Sequence, residues 1–232
     1  MASYSCKIML PSELNVDELT FAEPKKFGDA GGKIIYINFN RSKFSICAPK
    51  MRTPFGLQKY EEPGKPPKYT LDLSFGDYKN NPALKAFYDS MKAFDEKVIK
   101  MAQDNSLNWF KKKSLSDNLA RELYSSSIKF SKDKETGEPN EAYPPTFKTK
   151  LNYRDGSFQC EVFDKEKNRV ETPLEDSIPK GQELATIIES NGIWIAGGKF
   201  GTSWRVSQMK IGKPGLDTKA YAFRDDAEDL PL

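Results

Sequence analysis

Residues 178–211, IPKGQELATIIESNGIWIAGGKFGTSWRVSQMKI, constrain the fold of this chain most, because their pattern suits β-structure. Residues 183–190 are rich in Ile and Thr, which fit a pleated, half-buried surface. Asn191-Gly192 predicts a tight turn, since glycine accepts positive φ without steric cost. Residues 193–196 follow as a short apolar strand. Gly197, Gly198 and Gly201 bracket Lys199 and Phe200, and residues 203–211 return as a strand. The expected product is a glycine-hinged finger that carries Trp194, Phe200 and Trp204 with Lys199 and Arg205 among them. Rings interleaved with cations on a hairpin suit one nucleic-acid strand, with bases stacking on the rings and cations following the phosphates. Taken alone, Trp194 or Trp204 suits a core position in an antiparallel sheet better than a contact, since large aromatics usually go inside. Lys199-Phe200, at a tip flanked by glycines, is expected to stay outside it.

Taken in order, residues 1–30 form an N-terminal arm in which 7–10 could add an edge strand. Residues 34–39 and 44–48 predict a hairpin turning at Asn40-Arg41-Ser42-Lys43, with Tyr36, Phe39, Phe44 and Lys43 as candidate contacts. Residues 49–68 hold five prolines and two glycines, which excludes a regular strand or helix and leaves either a functional loop or a solvated linker. The loop carries Lys50, Arg52, Phe55, Tyr60 and Lys68, all candidate contacts. Residues 69–75 alternate as a half-buried strand.

Asn81-Pro82 opens the one long helix, as a good N-cap followed by proline at the first helical position. Leu84, Phe87, Tyr88, Met91, Phe94, Val98 and Met101 give it an apolar stripe. A shorter helix is expected at 114–124, completing a helical insertion at 81–124. Lys111, Lys112 and Lys113 between them are read as a solvated turn, with phosphate contact as the alternative. Residues 126–131, 147–153 and 158–163 are predicted strands, the second placing Lys148 and Lys150 on one face. Residues 212–232 make a flexible tail.

The 232-residue sequence contains no histidine, which removes Ser-His-Asp and Cys-His catalysis and His-containing zinc sites together. Its three cysteines, Cys6, Cys47 and Cys160, are scattered and odd in number, as in a reducing compartment without a disulfide framework. Gly197-Gly198-Lys199 fails as a phosphate-binding loop, because Phe200 replaces the metal-holding hydroxyl residue and a strand follows. Carboxylates form no compact pair on predicted strand ends, so a Mg²⁺-dependent nuclease has little support. No cofactor, metal or catalytic residue is expected. The N-terminus lacks the pattern of a signal peptide, and no apolar run approaches the ~20 residues of a membrane span.

Net charge is +3, unevenly spread. Asp225, Asp226, Glu228 and Asp229 crowd the last nine residues; taking these four from the 33 acidic residues leaves 29 against 36 basic, a net +7. A basic body with an acidic end fits a nucleic-acid binder with a separate tail. The strand pattern with its helical insertion predicts a mainly β, α+β chain built on an antiparallel β-barrel of oligonucleotide-binding (OB) type, spanning 31–211.

The block GIWIAGGKFGTSWRVSQMKI, preceded by FSICAPKMRTPFGLQKYE and YTLDLSF, resembles the OB-fold single-stranded-DNA-binding proteins of the large nucleocytoplasmic DNA viruses, over roughly Gly31 to Ile211. The resemblance implies a coat for exposed single strands in viral DNA replication, recombination or repair, without catalysis. It gives weight to Trp194, Lys199, Phe200, Trp204 and Arg205. The implied partners are single-stranded DNA, with RNA as the alternative, replication proteins met through the acidic tail, and further copies of the chain on DNA; no membrane is implied. A virion structural protein is the rival class. The implied location is intracellular, in the host nucleus or a cytoplasmic site of viral replication.

Overall fold

The long hairpin forms, but it turns once. A computed structural model describes residues 7–28, 31–133, 135–140, 142–170 and 174–211, the side chains of 175 and 176 aside. Within it Glu183–Ala196 and Lys199–Ile211 run antiparallel and reverse at Gly197-Gly198. Both glycines have positive φ, 58° and 77°, as a two-residue hairpin turn of the primed type requires. Asn191-Gly192 is not a turn. The strand passes straight through it, with a register shift between Ser190 and Ile193. At Gly192 φ is 94°, and a Cβ there would lie 2.4 Å from the carbonyl oxygen of Ile35. The glycine makes a bulge that lets Gly32–Ile35 pair alongside, Ile193 opposite Ile35.

Pairing then closes on itself. Glu183–Ala196 pairs with Met51–Arg52, which pairs with Lys68–Ser74, then Thr146–Leu151, then Lys199–Ile211, which returns to Glu183–Ala196. The sheet is mixed, correcting the antiparallel expectation. Thr146–Leu151 lies parallel to Lys199–Ile211, and Lys7–Met9 lies parallel to Phe44–Cys47. Residues 49–68 are not strand-free either. Leu57–Tyr60 falls between Pro54 and Pro63 and pairs along the edge of Lys68–Ser74. Proline excludes only the ladder positions it occupies.

The helix Pro82–Asp104 is capped by Asn81, whose side chain accepts from the backbone N–H groups of Ala83 and Leu84. It buries Leu84, Phe87, Met91, Phe94 and Val98 against the sheet. Its Asp95 is buried too and accepts hydrogen bonds from the hydroxyls of Tyr124 and Ser126, 2.5 Å each. Burial pushes that carboxyl above the usual range, and the two hydroxyls oppose the shift. The shorter helix covers Asp117–Leu123, and Lys111, Lys112 and Lys113 are exposed before it. Residues 7–27, expected as an arm, pack onto this framework. Leu14 and Leu19 are buried, and Ser90 donates to the carbonyl of Pro11 at 2.7 Å. No helix among the described residues is long and apolar enough to cross a membrane.

Candidate nucleic-acid interface

Alternation in Thr146–Leu151 decides where the charge goes. Phe147, Thr149 and Leu151 are buried, so Lys148 and Lys150 stand on the opposite face. Register aligns Lys150 with Thr70 on one side and Arg205 on the other, and Arg205 with Glu189 beyond. Lys148 stands opposite Asp72. These rows floor an open groove of about 1070 Å³, lined also by Tyr60, Lys65 to Lys68, Tyr153 and Arg154. Tyr153 is fixed there by the rings of Tyr69 and Phe158, at 5.1 and 5.0 Å between centroids.

The groove gathers like charges. Lys150 has no ion-pair partner among the described residues, and its ammonium is pushed down by desolvation and by the charges of Lys68 and Lys148. Lys129, on the neighbouring strand Ile128–Lys129, is pushed down by desolvation and by Lys148. Lys148 sits 5.8 Å from the centre of the Tyr60 ring, in cation–π range. Other cations there are partly satisfied. Glu62 takes both Lys65 and Lys68, at 2.6 and 2.7 Å, which pulls its carboxyl down to about 2. Arg205 donates from Nε to Glu189 at 3.1 Å. A polyanion laid in the groove would neutralise Lys150 and release its own counterions.

Asp72 is the exception on this face. Its Oδ1 is buried without a hydrogen-bond partner among the described residues, and Lys148 Nζ is 3.9 Å away. Burial pushes its carboxyl up, with Lys148 and Lys129 opposing. The folded state therefore holds this proton more tightly than the unfolded chain, and stability falls as pH rises through the raised pKa. Asp72→Asn should flatten that fall, leaving the part Asp95 contributes with the same sign. It should also tighten anion binding by about fivefold, roughly the 1 kcal/mol that unit charges about 4 Å apart exchange in water. Thermal melts across pH and oligonucleotide titrations check both.

Of the candidate residues, the groove brings together Tyr60, Lys68, Lys148, Lys150 and Arg205. Four aromatic candidates are corrected, because burial leaves their rings no free face. Phe39 and Phe44 lie in the core, and Trp204 packs among Phe44, Phe94 and Phe147. Phe200, expected outside, is fully buried under Phe110 and Tyr124, with Tyr124–Ser125 paired alongside it. Trp194 is half-buried across from Gly201. Tyr36 is exposed on another surface, 5.7 Å from Lys25 Nζ. Lys43 and Lys199 are exposed at turns, Lys50 pairs with Glu183, Arg52 lies against Gly181, and Phe55 is exposed. None of these lines the groove. Asp225, Asp226, Glu228 and Asp229 fall outside the described residues. Tyr153 went unread as a contact because it was taken only as the end of the strand 147–153, and Arg154 because the alternation was followed no further than that end. The signal was there: Lys148, Lys150, Asn152 and Arg154 share one period. Among the described residues no three His, Cys, Asp or Glu side chains are grouped to hold a metal ion.

Fold and groove together define a mainly β protein that presents a cationic, tyrosine-edged face. The model of a family described as a family of unknown function (DUF5871) matches residues 83–225, and the chain belongs to that family. No curated protein matches the sequence. Among solved structures the chain is similar to the single-stranded DNA-binding protein from bacteriophage Enc34 in complex with ssDNA, at 15% identity and a TM-score of 0.47, over 84% of this chain and 96% of that one. It is also similar to gp2.5, a single-stranded DNA binding protein encoded by bacteriophage T7, at 13% identity and a TM-score of 0.45, over 82% of this chain and 96% of that one.

Proposed function

We propose that the groove binds a single strand of DNA with little regard to sequence, by phosphate contacts to lysine and arginine and by stacking on tyrosine. The observation that carries this is the row of cations on one sheet face, with Lys150 unpaired and crowded by Lys68 and Lys148. The floor is a sheet two strands wide and more, and no helix among the described residues lines it, which suits a flexible strand better than the major groove of a duplex. The five-strand closure of the pairing fits a small barrel of OB type. In this role the protein coats exposed strands in viral DNA replication, recombination or repair, in the nucleus or at a cytoplasmic replication site, and performs no reaction itself. The acidic stretch 225–232 would compete for the groove or recruit replication proteins.

Titration of labelled oligo-dT, the matched RNA and the matched duplex should give tight, salt-sensitive binding to the DNA single strand. Binding to duplex should be weaker by about tenfold or more, since stacking adds about 1–3 kcal/mol per base only where bases are free. Equal affinity for duplex and single strand would overturn the proposal, and preference for the RNA oligomer would reassign it to RNA.

A further inference from the structure

We propose that the cleft at the far end of the same two strands, between Tyr78, Phe130 and Tyr143, is a stacking subsite for a base of the strand held in the groove; it rests on the nucleic-acid reading of that groove. Lys68–Ser74 and Thr146–Leu151 run side by side from the groove to this cleft. Where they part, Phe75 N–H donates to the carbonyl of Pro145 at 3.0 Å. The chain then opens a cavity of about 720 Å³, walled by Gly76, Tyr78, Phe130, Tyr143, Pro144 and Pro145. That size falls in the range of small-molecule sites.

Two large rings are left in water here. Phe130 is 47% exposed and Tyr143 is 62% exposed, although a core lies close by. Tyr78, by contrast, is held in place, packed against Tyr88 with ring centroids 4.4 Å apart and planes tilted by 32°, and edge-on to Phe75 at 6.2 Å. A fixed ring, two exposed rings and a proline wall offer flat apolar faces of the kind a base stacks on.

Charge ties the cleft to the groove and selects its occupant. Lys129 pairs with Thr146, directly precedes Phe130, and shares its field with Lys148 in the groove. The path from Lys150 to Thr146 is about 14 Å at the usual rise per strand residue, a reach of a few nucleotides. Lys79 lines the cleft and has no ion-pair partner among the described residues. Among the described residues the one carboxylate in the lining, Asp77, accepts from Asn80 Nδ2 at 2.7 Å. Phosphates crossing Lys148 and Lys129 would deliver the next base to the rings.

The test is a length series of oligo-dT bound to the full chain and to Phe130→Ala and Tyr143→Ala. Both residues are exposed, so neither substitution should move the melting temperature. Long oligomers that span groove and cleft should lose about tenfold to a hundredfold in affinity, the equivalent of one or more stacked bases. Oligomers short enough to sit in the groove alone should bind all three proteins equally. Phe130→Tyr and Tyr143→Phe, which keep a ring, should restore binding. Ultraviolet crosslinking of the long oligomer should label Phe130 or Tyr143. Unchanged affinity at every length, with wild-type binding intact, would overturn the subsite and leave the groove standing. A loss shared by short and long oligomers with an earlier melt would make the rings structural and also overturn it. A wild type that binds no oligomer would remove groove and subsite together.

Discussion

Trp204→Ala should lower stability by about 3–5 kcal/mol, the usual range for deleting a buried Trp side chain, and lower the melting temperature by roughly 6–20 °C. Trp204 is 1% exposed, and it touches three other rings: Phe94 at 5.1 Å, Phe147 at 6.0 Å and Phe44 at 6.2 Å. Those rings come from the long helix and two separate strands, so the cavity left by the indole would open where the layers meet. Against a total stability of about 5–15 kcal/mol, the loss is large. Phe200→Ala should behave alike, since its ring is fully buried between Phe110 and Tyr124. For both variants the folded fraction should bind DNA as the wild type does. Calorimetry with titrations at a temperature where the variants are folded separates the two effects. An early loss of binding with an unchanged melt would return these rings to the interface.

The opposite pattern is expected on the outer face. Lys148→Gln with Lys150→Gln should leave the melt nearly unchanged, because both lysines stand on the outer face of their strand and glutamine can still donate toward Asp72. Affinity for oligo-dT should fall by about tenfold for each lysine, within the range of a charge-assisted hydrogen bond converted to a ratio. Lys150 should carry the larger share. It has no ion-pair partner among the described residues, whereas the charge of Lys148 is partly answered by Asp72 at 3.9 Å. Single variants titrated side by side decide the order.

What was legible in the sequence follows the range of the interactions. The two-residue period of 146–151 is local, and it placed Phe147 inward and Lys150 outward without reference to anything else. The cap at Asn81 and the turn at 40–43 are equally local, and Asn40 and Arg41 take positive φ there, at 47° and 63°. The hairpin expected around that turn does not form, because Ile37–Phe39 pairs with Leu19–Phe21 and Phe44–Cys47 with Glu183–Ala196. Gly192 was misread because turn and bulge make the same demand on φ. The choice between them is made by Ile35, whose carbonyl a Cβ would meet at 2.4 Å. Phe200 was misread for a similar reason. Nothing in GGKFG announces that Phe110 and Tyr124, from the helical region, will cover the tip. In the candidate site the cations were readable from alternation, whereas the aromatics required knowledge of what packs over them. Phe130 and Tyr143 went unnoticed because their exposure is a property of the assembled chain.

The slope of log affinity against log salt concentration, for oligo-dT with the wild type and with the Lys148→Gln/Lys150→Gln variant, tests the basic groove most directly. Each lysine that neutralises a phosphate on a single strand contributes about 0.7 to that slope. The variant should therefore show a slope shallower by about 1.4, with the two lines converging at high salt. Parallel lines with equal affinity would contradict the assignment, because the groove lysines would then touch no phosphate.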